Sequence, residues 1–198
     1  MDAAAQGFAS RPVVLIIALA LFTLLPFVLM MTTSYVKLVV VFHILRSALG
    51  TQQVPPNAVI AGLALILTVY VMSPTIEECR TRAGPLLELE SEQDLLSRQS
   101  ADLVLQTVEA VKEPLRGFVK RNAAPDNIEM VLHLARTRAS SDEAAGKISA
   151  DDFLVLVPAF VVTELTEAFL IGFVLFLPFL VIELTVSNVL LSLGMHML

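Results

Sequence analysis

The sequence predicts an all-α, integral membrane-type protein of broken helical hairpins with an inserted polar helical domain. Three observations carry this. The chain is 56% hydrophobic and only 16% charged, whereas about a quarter of the residues in soluble domains are charged. Its charges are gathered in one stretch, residues 75–152, which holds fifteen of 19 Asp and Glu and ten of 13 Lys and Arg. The apolar runs on either side are punctuated by Pro and Gly, which interrupt regular helices. The chain thus divides into an N-terminal tail (1–11), hydrophobic helices with a polar break (12–74), a polar helical domain (75–152) and a C-terminal hydrophobic hairpin (153–198).

Pro12–Met31 contains no charge, and its roughly 20 residues at 1.5 Å each match the ~30 Å hydrocarbon thickness. It exceeds the ~7–15 residues of a signal-peptide core and no small-residue cleavage site follows Met31, so a retained helix is expected. Tyr35–Leu49 is shorter and carries Lys37, His43 and Arg46, so it needs shielding by protein. Leu45–Asn57, LRSALGTQQVPPN, is a polar break. Gly50, Thr51, Gln52, Gln53 and Asn57 cannot face lipid unpaired, because each unsatisfied polar group in hydrocarbon costs several kcal/mol. The break must pack against protein or line a wet cavity. Pro55 and Pro56 end the preceding helix and pre-set the next, which is expected over Asn57–Ser73 and stopped by Pro74.

In the polar region, Val104, Val108, Val111, Leu115 and Phe118 recur at helical spacing and mark one amphipathic helix. Pro114 should bend it and Asn122–Pro125 should end it. Ile128, Val131, Leu132 and Ala135 predict a second helix, and Ser140–Gly146 a loop. Both stripes read first as self-packing core and second as a docking face for neighbouring copies.

Phe153–Leu193 is long enough for about two crossings or one hairpin. Pro158, Gly172 and Pro178 predict curved, broken helices inside an assembly, where neighbours repair freed backbone groups. Glu164 and Glu167 are three apart and share a helix face, and Glu183 lies farther along. Carboxylates at membrane depth are functional suspects. The favoured role is pairing with Lys37, Arg46 or polar backbone, ahead of a proton or ion relay. With three acidic residues against two basic ones in the apolar segments, one carboxylate is expected to be protonated or bonded to a partner subunit. A di-metal enzyme would need Glu-x-x-His motifs on facing helices, and His43, His133 and His196 lack that spacing.

Two blocks, Thr33–Thr68 (TSYVKLVVVFHILRSALGTQQVPPNAVIAGLALILT) and Asp151–Met195 (DDFLVLVPAFVVTELTEAFLIGFVLFLPFLVIELTVSNVLLSLGM), resemble the signatures of the SctR/FliP family of type III secretion and flagellar export. The chain looks most like the injectisome members, YscR and HrcR. The family's Ser-Glu-Leu-Lys pattern reads Thr163, Glu164, Leu165, Thr166 here, so the expected lysine is a threonine and Glu167 adds a negative charge. The resemblance further assigns Met195 and Met197 to a methionine gasket at a channel constriction, where flexible Met side chains seal yet yield. His196 replaces the middle methionine and adds a group that titrates near pH 6 to 7. Family members usually continue into another apolar helix, so this chain is expected to lack the returning arm of its last hairpin.

The resemblance implies a non-enzymatic core subunit of an export gate that passes unfolded proteins across the bacterial inner membrane. It implies a homo-oligomeric ring, a pentamer, with SctS/FliQ-like and SctT/FliR-like subunits and other export-apparatus components, and no cofactor. Polar contacts at Gly50–Asn57 would join subunits while Phe and Met side chains narrow the channel. No Gly-x-x-x-x-Gly-Lys phosphate loop is present, so energy would come from an associated ATPase and the proton motive force. The acidic net charge of -6 leaves no nucleic-acid footprint, and the single Cys79 allows no intramolecular disulfide. The alternative is a secondary transporter or ion-conducting subunit using Lys37, Arg46, Glu164 and Glu167 as a relay, although no inverted repeat is evident. An intramembrane hydrolase lacks a nucleophile and base pair.

Overall fold

The computed structural model describes residues 12–51, 53–90 and 98–194. All regular structure among them is helical: α1 (Pro12–Met31), α2 (Tyr35–Ala48), α3 (Asn57–Glu90), α4 (Arg98–Asn122), α5 (Pro125–Thr137), α6 (Asp142–Lys147) and α7 (Phe153–Ser192). The tail 1–11, Gln52 and the terminal Met195, His196 and Met197 lie outside the described residues.

α1 is the charge-free run that the composition predicts. Its last turn is closed by Thr32, whose hydroxyl donates to Val28 O at 2.9 Å. The chain then turns sharply, and the end of α1 meets α2 at 74°. Gly50, after α2, has φ +67, the left-handed conformation that glycine adopts without a Cβ penalty. It turns the chain toward Pro55 and Pro56. The carbonyl of Pro56 accepts from Val59 N at 3.0 Å and Ile60 N at 3.2 Å and so opens α3.

α3 does not stop at Pro74. It continues through Pro74 and Pro85 to Glu90, carrying the membrane-type segment into the charged region. α4 likewise runs through the buried Pro114, and α7 is one continuous helix through Pro158 and Pro178. The reason is an unequal choice. A proline removes one backbone hydrogen bond and strains one turn, whereas unwinding exposes several backbone groups that apolar surroundings cannot satisfy. Over Phe153–Ser192 there is therefore a single helix in place of a broken hairpin. Its 40 residues extend ~60 Å at 1.5 Å per residue, about twice the ~30 Å hydrocarbon thickness.

The expected loop at Ser140–Gly146 contains the short helix α6. Ser141 caps it, its hydroxyl accepting from Ala144 N at 3.2 Å, as polar N-cap side chains do for orphan donors.

The core lies where the polar region folds back on the membrane-type helices. Phe118 and Val119 of α4, with Ala123 just after it, bury against Leu156, Ala159 and Phe160 of α7 and Met72 of α3, with Leu115, Ile128 and Val131 packed around them. Phe118 and Phe160 meet edge to face, centroids 5.8 Å apart, a geometry worth about 0.5–1.5 kcal/mol beyond the area it buries. The apolar stripes of α4 and α5 are thus spent largely on α3 and α7. Val108 remains exposed, and the side chain of Val104 lies outside the described ones. At the surface, Lys120 pairs with Asp151 at 2.5 Å and Arg116 stacks over the Phe153 ring at 5.1 Å, fixing α4 to the start of α7.

Beyond Gly172, α7 is uncovered. Phe173, Val174, Val181, Ile182 and Leu184 all stand exposed. α3 and α7 are each long and apolar enough to cross a membrane, and the bent α1–α2 pair counts as a third crossing if it forms one span.

Candidate functional site

α2 packs mainly along α7, and this crossing gathers charges far apart in sequence. Lys37 on α2 reaches Glu164 Oε1 at 2.9 Å and Glu167 Oε2 at 2.7 Å. The two carboxylates are one turn apart on α7, so one ammonium serves both, and charge-assisted hydrogen bonds of this kind are among the stronger ones. Glu164 is 1% exposed, while Glu167 sits at the rim. The second carboxylate oxygen of Glu164 is buried without a hydrogen-bond partner. The arrangement is a clasp of two anions and one cation, deep on one side and open on the other.

The approach that permits the clasp is set by Gly172. A Cβ at this position would lie 2.9 Å from Ile44 Cγ2 and 3.0 Å from Ile44 Cβ, closer than side chains pack. Glycine lets α2 settle against the α7 backbone two turns from Glu164.

Arg46, at the far end of α2, does not join the carboxylates. Its guanidinium donates to Asn57 Oδ1 at 2.7 Å and to Pro55 O at 3.4 Å, so it staples the end of the polar break to the helix before it. Thr51 Oγ1 donates back to Arg46 O at 3.4 Å. Among the described residues of Gly50–Asn57, Gly50, Thr51, Gln53, Pro56 and Asn57 are exposed and only Pro55 is half-buried. Polar groups of the break beyond these bonds face outward, open to water or to another subunit. Glu183 is exposed on the uncovered half of α7, with no ion pair among the described residues.

One participant takes the Ser position of the family's Ser-Glu-Leu-Lys pattern, and its role becomes evident only in the fold. Thr163, buried beside Glu164, accepts from Ala124 N at 2.9 Å and from Asn127 Nδ2 at 2.8 Å. Its hydroxyl donates to Ala159 O at 2.8 Å. The oxygen is therefore fully used, and it ties the α4–α5 corner to α7. Ala124 is the N-cap position of α5 and offers no side-chain acceptor, so this threonine satisfies a donor that the helix start leaves orphaned. The signal available in the sequence was a hydroxyl residue directly before Glu164, where the family pattern also has one.

Among the described residues no three His, Cys, Asp or Glu side chains gather as a metal site. The chemistry on offer is charge pairing, close helix packing and a polar loop turned outward, flanked by long apolar helices whose surfaces the chain does not cover.

Residues 18–198 match the family model described as the FliP family. The virulence protein YscR of Salmonella typhimurium is 40% identical over 189 residues, which are 94% of this chain and 82% of that protein. The Yop proteins translocation protein R of Yersinia pestis is 40% identical over 190 residues, 92% of this chain and 80% of the relative. The flagellar biosynthetic protein FliP of Caulobacter vibrioides is 38% identical over 194 residues, 97% of this chain and 66% of its own length.

Proposed function

Given that this chain belongs to the FliP family, a family of secretion and flagellar export proteins, we propose that it is a core subunit of the type III secretion export gate, a membrane channel for unfolded proteins. The observation that carries this reading is the family match running through both membrane-type regions and the polar region between them. The uncovered length of α7 supports it: a span this apolar, holding Glu183 and Asn188, requires lipid on some faces and other subunits on those that carry polar groups.

In this reading copies of the chain form a ring, a pentamer, with SctS/FliQ-like and SctT/FliR-like subunits in the bacterial inner membrane. The outward polar break at Gly50–Asn57 supplies subunit contacts, and the Lys37–Glu164–Glu167 clasp fixes the α2–α7 crossing on which they depend. Met195, His196 and Met197 close the conduit around the passing polypeptide. The role is structural, with no bond made or broken by this chain.

Co-expression with the SctS-like and SctT-like partners, extraction in mild detergent and native mass spectrometry test this directly. A discrete complex with several copies of the chain is expected. A chain that emerges only as monomer, while its partners assemble without it, would overturn the reading.

A further inference from the structure

Beyond Gly172, the residues Val174, Pro178, Val181, Thr185, Asn188 and Ser192 follow one another at alternating steps of four and three. These are the a and d positions of a heptad repeat, which form one seam along a helix. All six are exposed. The same steps carried back through Ile171 reach Glu167 and Glu164, where Lys37 of α2 lies across this side of α7. The seam is thus covered by α2 in its first half and bare in its second.

The bare half is polar and narrow. Thr185 Oγ1 donates to Val181 O at 2.7 Å and Ser192 Oγ to Asn188 O at 2.8 Å, whereas the Asn188 amide has no hydrogen-bond partner among the described residues. Pro178 offers no N–H to Val174 O, so a backbone carbonyl of the same seam also lacks its usual helical donor. Thr185, Asn188, Val189 and Ser192 surround a hollow in the helix surface, with Leu193 at its edge. Their spacing, i, i+3, i+4 and i+7, is that of the four residues forming the hole that takes one knob of a facing helix.

The chemistry of the seam selects its own image as the occupant. Copies inserted alike in a membrane and related by rotation about its normal present α7 parallel and in register. A knob at a d position then enters a hole that includes the facing d residue, so Asn188 meets Asn188. An amide carries both donors and an acceptor and can bond to an identical amide, which a lipid chain cannot do. Glu183 stands roughly 140–180° round the helix from Thr185, Asn188 and Ser192. Copies meeting at the seam therefore keep their carboxylates apart, whereas a meeting through the Glu183 side would set like charges against each other.

We propose that α7 of a second copy packs on this seam, with Asn188 of each copy seated in the hole framed by Thr185, Asn188, Val189 and Ser192 of the next. The inference rests on the reading of the chain as a gate subunit present in several copies, and it names the surface at which their long helices meet.

In a Cys79→Ser background, Thr185→Cys and Ser192→Cys place thiols in the seam and Glu183→Cys places one on the opposite side, all at exposed positions. Oxidation of the assembled complex in membranes with copper phenanthroline should link copy to copy about tenfold more at 185 and 192 than at 183, because Cα atoms more than ~7 Å apart cannot be bridged. Adding Asn188→Asp to Ser192→Cys sets like charges in facing holes and should lower the product about tenfold. Equal linkage at 183, a product with a different protein, or no product overturns the seam. An unchanged yield with Asn188→Asp overturns the amide pairing. Native mass spectrometry of the unoxidised complex separates these failures from that of the gate reading: several copies without a seam product overturn the seam alone, and a single copy overturns both.

Discussion

Lys37 Nζ lies 2.9 Å from Glu164 Oε1 although α2 and α7 come from opposite ends of the chain. Glu164 is buried and Glu167, the second carboxylate on the same lysine, is half exposed. The two should therefore differ in weight. Glu164→Gln leaves the ammonium with only its rim partner and should cost the complex about 1–3 kcal/mol. Glu167→Gln should cost at most about 1 kcal/mol. Thermal unfolding of the detergent-solubilised complex ranks them, and equal losses would remove the distinction between the deep and the rim carboxylate.

Gly172 should tolerate nothing larger. Gly172→Ala places a methyl against Ile44 and Gly172→Leu drives the helices apart, with overpacking costs of about 1–3 kcal/mol. Ile44→Ala in the Gly172→Ala background frees the needed space and should recover part of the loss. If the double variant is no more stable than Gly172→Ala, the contact is not what makes the glycine necessary.

Thr163→Val keeps the shape and removes the hydroxyl, leaving Ala124 N–H and the Asn127 amide without their acceptor. A cost of about 1–3 kcal/mol is expected. Thr163→Ser should retain the bonds. Hydrogen exchange at the Ala124 amide reads this locally: fast exchange in the valine variant and slow exchange in the serine variant.

At the polar break, Arg46→Ala releases Asn57 and Pro55 O together, whereas Asn57→Ala releases only one end. Both should raise protease sensitivity across Gly50–Asn57, the arginine variant more. If cleavage there is unchanged in the isolated chain, the staple does not hold the loop.

Replacing Met195 and Met197 by Ala should raise ion leak through the assembled complex in planar bilayers, because smaller side chains cannot close a narrow conduit. Unchanged conductance would count against a gasket at these positions.

The helical class and the membrane character were legible in the composition, and the ends of α1 and α4 and the start of α5 in punctuation: Pro12 to Met31, then Asn122 to Pro125. Lys37, Glu164 and Glu167 stood out because ionised groups are conspicuous among apolar ones. Proline misled at Pro74, Pro158 and Pro178. Its local cost is visible in sequence, but the larger cost of unwinding where no water waits is set by surroundings that sequence does not display. Gly172 was read as a break for the same reason. Only the path of α2 past it reveals a contact surface. Thr163 was named in the family pattern, but its role was not legible because its partners, an amide of Ala124 and a side chain of Asn127, come close only once the α4–α5 corner has folded onto α7.

The bonds converging on Thr163 also govern how force travels. The α4–α5 corner is clamped to α7 by a buried oxygen and by the aromatic pair Phe118–Phe160, so a pull on the long helix carries the corner with it as one stiff lever. α1 is joined chiefly through α2 and across a 74° elbow. A displacement of α7 therefore reaches α1 mainly by way of α2 and that elbow.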